Sequence, residues 1–331
     1  MSEFRQNLAT KEWVIISPRE ERQPSDYRKK RPLLPSYDEN CPFCPGNEKL
    51  TPEAIFRYPQ SGNWKIRVIP DRQSPLQPDF AITDLSFGSI TPGSASSCLA
   101  ETVIETPEHD KSVALMQMGE VTAILDTYRE RYKALAESSN VAIITIFHNH
   151  GSGAGISMAH PHSHIVASPV IPAKASYQME QSLKYYQMNG QCLHCFMLEQ
   201  ERKIKNRMII DTDRFAAFCP FAAGSPFETV IYPKRHMGSF ASIDDEELEE
   251  LGWVLQTMML KLYNCLDDPD YSYAVKSAPI GHENAGHLHW QIEIIPRVAN
   301  PHGFALGSGI NVNEVAPEAA ARYLREIGID C

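Results

Sequence analysis

Nothing in the chain approaches the roughly 18 consecutive apolar residues that a membrane-spanning helix needs. Positive charge is also in short supply. Lys and Arg number 31 against 41 Asp and Glu, a formal net charge of −10. That balance excludes a general affinity for nucleic acid or for an anionic membrane, while leaving room for a local pocket that takes a phosphate. The opening MSEFRQNLATKEW lacks the apolar core of a signal peptide, so a cytoplasmic location is the expectation. Hydrophobic residues make up 43% and charged residues 22% of 331 positions, which suits an ordinary soluble globular protein with room for two domains. Histidine is scarce as well, 12 in all, yet His160, His162 and His164 fall within five positions of AHPHSHIVAS.

Of the eight cysteines, four form two C-x-x-C pairs, Cys41/Cys44 in ENCPFCPGNE and Cys192/Cys195 in QCLHC. In a reducing compartment such pairs read as metal ligands or redox motifs before disulfides. The first has the knuckle form, a tight Pro-Gly turn that lets two thiolates converge on one ion. A structural zinc takes four ligands. His109 and His160 are the candidates to complete the first set, and His236 with His287 or His289 the second. His194 lies inside its own knuckle and would have to fold back, so it is discounted. The competing readings are two reduced cysteines in a surface loop, or a redox pair.

Periodicity predicts strands at 12–17, 64–70, 101–107 and 141–151, with another after a glycine-rich turn, and a helix over 118–138 whose Val121, Ile124, Leu125, Tyr128 and Tyr132 share a face. The second half predicts a helix opened by Cys192 and Cys195, strands at 215–221, 227–233, 271–279 and 287–297, and a helix over 244–267. Each half thus runs from a C-x-x-C through a long helix to a strand carrying H-x-H. That order is the mark of a diverged duplication. Its halves are 1–175 and 176–331, joined near 173–188 after the Pro-rich VIPAKA.

The clustered histidines follow Asn149-His150-Gly151-Ser152-Gly153-Ala154-Gly155-Ile156-Ser157. Glycines there expose backbone N–H groups and let a phosphate approach closely. An imidazole beyond such a cradle, with an ordinary pKa of about 6.5, is largely neutral at pH 7 and able to attack phosphorus. Along a strand, i, i+2 and i+4 share a face, and Pro161 can perturb that alternation so that neighbouring histidines take different tasks. A solvated cluster is the competing reading, but the alternation with Ile165 and Val166 favours a half-buried strand.

HNHGSGAGISMAHPHSH resembles the active-site motif N-x-G-x-x-x-G-x-S-x-x-H-P-H-x-Q of the galactose-1-phosphate uridylyltransferase family, in the histidine-triad superfamily. Spacing is unbroken through Asn149, Gly151, Gly155, Ser157, His160, Pro161 and His162. EWVIISP, CPFCPGNE, ETPEHD, FCPFAAGSPFETVIYPKRH, HWQIEIIPR and GFALGSGINVN look like family segments too, so the resemblance covers nearly the whole chain. It implies an α+β fold of two tandem histidine-triad-like domains, with antiparallel sheets forming a joint half-barrel and flanking helices. It implies a first zinc site of Cys41, Cys44, His109 and His160 and a second of Cys192, Cys195, His236 and His289, the last preferred because it aligns with the family's H-W-x-x-E. His162 matches the nucleophile, and Asn149, Gly151, Gly155 and Ser157 match the groups that hold the nucleotide's phosphates. Two departures stand out. His164 replaces a Gln that contacts the phosphoryl group, and Asp71 stands where the family often has Asn, a carboxylate in need of a partner such as Arg67 or Arg72. Arg19 and Arg22 are the nearest candidates for the arginines that reach the nucleotide. The implied activity is ping-pong uridylyl transfer between UDP-glucose and a hexose 1-phosphate through a nucleotidyl-His162 intermediate, in a homodimer. The alternatives are an adenylyltransferase resembling ADP-glucose phosphorylase, a dinucleotide hydrolase, and a zinc-stabilised binding protein.

Overall fold

β-branched and aromatic runs build one continuous antiparallel sheet of ten strands, the kind of half-buried pleated surface these side chains favour. The strands are β1 (Phe56–Tyr58), β2 (Ile66–Pro70), β3 (Leu99–Ile104), β4 (Ile143–His150), β5 (His162–Ser168), β6 (Met208–Asp211), β7 (Phe215–Phe218), β8 (Thr229–Pro233), β9 (Tyr271–Lys276) and β10 (Gln291–Pro296). Across the sheet they run β6-β7-β8-β10-β9-β4-β5-β3-β2-β1. The structure, a computed structural model, describes residues 1–18, 22–29, 31–71, 80–81, 84–86, 89–91, 95–96, 99–156, 158–299 and 303–329.

The strand order contains the duplication. Outward from the central β4–β9 pair, one side reads β4-β5-β3-β2-β1 and the other β9-β10-β8-β7-β6. Phe147 faces Ala274 at the middle of that pair, so the two halves meet by main-chain pairing rather than through a linker. Between β3 and β4 runs helix α1 (Met118–Ala136), and between β8 and β9 the equivalent α4 (Asp245–Leu266). α4 starts in a capping box, in which Asp244 accepts from the Glu247 amide and Glu247 accepts from that of Asp244. Both helices cover one face of the sheet. Val121, Ile124, Leu125, Tyr128 and Tyr132 are all buried there. Where α4 meets α1 the residue is Gly252, and any Cβ would run into Thr122.

The segment expected to join the halves is helical. Residues 173–189 form helix α2 (Ala173–Asn189), closed by Gly190 at φ 66°, and α3 (Leu193–Ile204) follows as a separate helix. AKASYQMEQSLKYYQMN has no internal Gly or Pro and is rich in helix formers, so helix propensity decides its state. α2 buries only Ser182. Two short ribbons pair Phe80–Ala81 with Ala95–Ser96 and Asp84–Ser86 with Ser89–Thr91. A small three-stranded sheet of Glu3–Gln6, Trp13–Ile16 and Asn311–Asn313 ties the first residues to the last third.

Beneath the sheet lies a polar cluster that links the halves. Glu105, which follows β3, has a fully buried side chain and accepts from Tyr128 at 2.7 Å and from Ser163, with His148 Nδ1 at 3.1 Å. Tyr273 of β9 joins through the Tyr128 hydroxyl at 2.9 Å. Burial alone would raise Glu105, but the His148 imidazole and these donors hold its carboxyl below the usual range. Replacing Glu105 by Leu strands His148, Ser163 and Tyr128 without their acceptor. The expected loss of stability is about 3–5 kcal/mol by urea denaturation, and a loss under 1 kcal/mol would show that the cluster carries no such weight.

Candidate active site and metal centres

Cys41, Cys44, His109 and His160 converge so that one ligand atom from each lies within 4.8 Å of all the others, and all four are buried. Cys44 Sγ is 3.4 Å from His109 Nδ1 and 3.6 Å from His160 Nδ1. Bond lengths to tetrahedral zinc put such ligand atoms about 3.4–3.8 Å apart, so the donor set fits a tetrahedral ion. Cys192, Cys195, His236 and His289 form a second such group, with Cys195 Sγ 3.4 Å from Nδ1 of each histidine. The two centres are copies. In each, a histidine just before a strand turns Nδ1 to the thiolates while its Nε2–H donates to a main-chain carbonyl, His160 to Thr106 at 2.7 Å and His289 to Pro233 at 3.0 Å. That outer contact fixes the tautomer a metal requires. His194 stays apart, on the Tyr232 hydroxyl at 3.0 Å. His287 also lies outside the group.

β5 begins at His162, and alternation then sorts the side chains. Ser163 and Ile165 face the helices, and His162 and His164 the opposite face. His162 Nδ1–H donates to its neighbour's main-chain oxygen, His160 O, at 2.7 Å. Nε2 therefore carries the lone pair. Burial pushes the imidazole down to about 4, which keeps it neutral. Phe43, held inside the first knuckle, packs edge-on against His162 at 5.4 Å between centroids. The knuckle thus grips the strand at His160 and the ring at Phe43.

His164 stacks on Phe147 at 5.0 Å, and its Nδ1 lies 2.9 Å from Asp71 Oδ2. This imidazole is thus a partner of Asp71, while Arg67 bonds Thr51 at 2.9 Å and lies over Trp64. Arg22 lies against Glu314 at 3.6 Å and over the Tyr27 ring. Asn149 is half-buried one residue before the end of β4, opposite Ser272. Ser157, Arg19 and Arg72 fall outside the described residues.

The glycine turn owes its shape to the other half. Gly151 and Gly155 sit at φ 82° and 81°, conformations that glycine alone adopts without strain. α4 ends in two left-handed residues, Asp267 and Asp268, and these swing Asp268 and Asp270 under the turn. Gly153 N–H donates to Asp270 Oδ2 at 2.9 Å, His150 Nε2 meets Asp268 Oδ1 at 2.8 Å, and Arg31 pairs with both aspartates. A Cβ on Gly151 or Gly153 would overlap the Asp270 carboxylate. Sequence reasoning missed Arg31, Asp268 and Asp270, and their only signal was an Asp-rich helix end, DDPD.

Comparisons with known proteins agree across the chain. Family models for the N-terminal and C-terminal domains of galactose-1-phosphate uridyl transferase match residues 96–172 and 176–329. An ADP-glucose phosphorylase of Arabidopsis thaliana is 32% identical over 99% of this chain and 93% of its own length. A galactose-1-phosphate uridylyltransferase of Thermotoga maritima is 29% identical over the whole of both chains. Among solved structures, the Arabidopsis ADP-glucose phosphorylase with bound ADP-glucose superposes with a TM-score of 0.82 at 31% identity, covering 99% of this chain and all of that one.

Gly151→Ala sets a methyl group against Asp270 and places alanine at positive φ, with an expected loss of about 1–3 kcal/mol in denaturant unfolding. Asp270→Ala removes the obstacle, so the double variant should lose less than the sum of the singles by at least about 0.5 kcal/mol. Strict additivity would mean that the aspartate does not shape the turn.

Proposed function

Because the chain belongs to the galactose-1-phosphate uridylyltransferase family, we propose that it is a nucleotidyltransferase that exchanges hexose 1-phosphates on a nucleotide through a covalent intermediate on His162, with UDP-glucose and galactose 1-phosphate as the principal pair. The observation that carries this reading is the His162 Nδ1–His160 O contact, which leaves Nε2 free to attack. Nε2 bonds to the α-phosphorus, the bond from that phosphorus to the bridging oxygen breaks, and a sugar 1-phosphate leaves. A second sugar 1-phosphate, or phosphate, attacks the same phosphorus and returns His162 to its neutral form. His164 donates Nδ1–H to Asp71, and in its doubly protonated form it also turns Nε2–H toward the non-bridging oxygens. Asn149, Ser157 and the amides around Gly151 and Gly155 stabilise the charge developing there. Arg19 and Arg22 are the candidates on the nucleotide side.

Zinc is the ion we assign to both Cys2His2 groups. Four protein ligands leave it no open position, so it supplies a structural anchor. We read residues 1–175 as the half that carries the chemistry and 176–331 as its supporting copy, in a cytoplasmic homodimer. Among the described residues no helix is long and apolar enough to cross a membrane. Adenylyl transfer of the ADP-glucose phosphorylase kind is the second reading, favoured by the higher identity to the Arabidopsis enzyme.

Incubation with UDP-glucose or ADP-glucose labelled in the α-phosphate should leave protein-bound label, and the nucleotide that labels faster names the base. His162→Ala should abolish the label and lower turnover by a factor on the order of 10⁴ or more. A variant that still labels would remove His162 from the mechanism. Elemental analysis should find zinc in both Cys2His2 groups, two ions per chain, and Cys44→Ser should leave only the second. Finding no zinc would remove both assignments.

A further inference from the structure

The duplication gives the C-terminal half a counterpart of every position at the nucleophile. Phe147 and Ala274 face each other at the centre of the sheet. Two residues further along each strand stand Asn149 and Lys276. His160 and His289 are the equivalent metal-group histidines. His162 and Gln291 are each the first residue of the strand that follows, and two residues on stand His164 and Glu293. Lys276, His289, Gln291 and Ala274 all line one cavity of about 260 Å³, on the same face of the sheet as His162.

That cavity is roofed by α2. Ala175, Met179 and Ser182 look down into it, and Ile143, Pro279 and Leu288 help to wall it. The helix buries one residue of seventeen, so it stands off the sheet and leaves the space open. At the cavity the Oε1 of Gln291 is buried and has no hydrogen-bond partner. A buried acceptor without a donor costs roughly 1–3 kcal/mol, and a ligand that donates to it removes that cost.

The chemistry narrows the ligand. An amide has no nucleophilic lone pair, so the attack assigned to His162 has no equivalent here. Lys276 is paired with Glu293 at 2.5 Å, and a phosphate placed beside them would meet a carboxylate where the first half has His164. The ligand is therefore uncharged where it meets the floor. The volume falls short of the roughly 300–1,000 Å³ of pockets for drug-sized molecules, too small for a whole nucleotide-sugar. The apolar walls suit a flat heteroaromatic ring better than a bare hexose. A Gln amide presents a donor and an acceptor side by side, the pattern that reads a nucleobase edge.

We propose that the cavity beneath α2 is a second, non-catalytic site that binds a nucleoside, a diverged copy of the nucleotide site in the first half. The inference rests on the preceding reading of His162 as a nucleotide-handling residue.

The test uses the full-length, zinc-loaded protein with His162 first nucleotidylated from UDP-glucose, so that the first site is filled. Equilibrium dialysis with labelled uridine and adenosine should then find one nucleoside per chain. Gln291→Leu should weaken it at least tenfold. Ala175→Trp, which fills the cavity from the loosely packed roof without touching the core, should abolish it. Both variants should still take label at His162. No nucleoside bound to the loaded protein, binding that neither variant changes, or binding of glucose in place of either nucleoside would each overturn the proposal. Protein that takes no label fails the earlier reading at that step. The nucleoside titration is then read on unlabelled protein with the same two variants, which still decides whether the cavity binds.

Discussion

The proton shared between His162 Nδ1 and the carbonyl oxygen of His160 is the contact on which the rest of the site depends. It links a metal-type ligand to the proposed nucleophile through one residue's main chain. The side chain of His160 faces the thiolates of Cys41 and Cys44, and its carbonyl sets the tautomer of the ring two residues on. Any shift of the knuckle would rotate that carbonyl and move the lone pair. A rigid anchor remote from substrate thus acts by preorganisation, and the Phe43 edge against His162 adds a second restraint from the same knuckle.

The duplicated fold explains why so much structure surrounds one imidazole. A histidine-bearing strand needs a sheet to hold its register and a covered face to hold the sheet. The first half alone would leave β4 as an open edge. Pairing β4 with β9 closes that edge, and the C-terminal half also supplies Asp268 and Asp270 to fix the glycine turn and Tyr273 to complete the buried Glu105 cluster. The second half can lose the nucleophile and keep its metal-type group because its contribution to the first is mechanical.

How far the sequence revealed this follows from the range of each interaction. Both Cys2His2 groups were legible as candidates, since C-x-x-C, lone His and H-x-H occur in the same order twice, but the order left His287 and His289 open and only the family resemblance pointed to His289. Periodicity placed the buried face of α1, whose register is set by neighbours three and four residues away. Where partners are distant the sequence was silent. Gly151 could be singled out, but the cause, a carboxylate 119 residues later at Asp270, could not. Asp71 called for a partner, and only the sheet brings His164 to it. VIPAKA marked where the halves join, and the residues after Pro172, rich in helix formers, carry that junction as helix α2.

The electrostatics of the site bear on its chemistry. Three described arginines of the first half have protein partners. Arg31 pairs with Asp268 and Asp270, Arg22 lies against Glu314, and Arg67 is buried over Trp64. The amides of the glycine turn are engaged too, Gly153 with Asp270, Ala154 with Gly151 and Gly155 with Ser152, so among the described residues the imidazoles of His162 and His164 face the site. Neutral dipoles hold an anion without stripping water from a buried ammonium or guanidinium, and they do so nearly equally for an incoming and a departing phosphate ester. An exchange reaction between two sugar phosphates has little free energy to dissipate. Binding shared equally by substrate and transition state does nothing for its chemical step. In a chain of net charge −10, Arg31 holds the glycine turn and Arg67 the knuckle, so both act on the shape of the proposed site through protein partners.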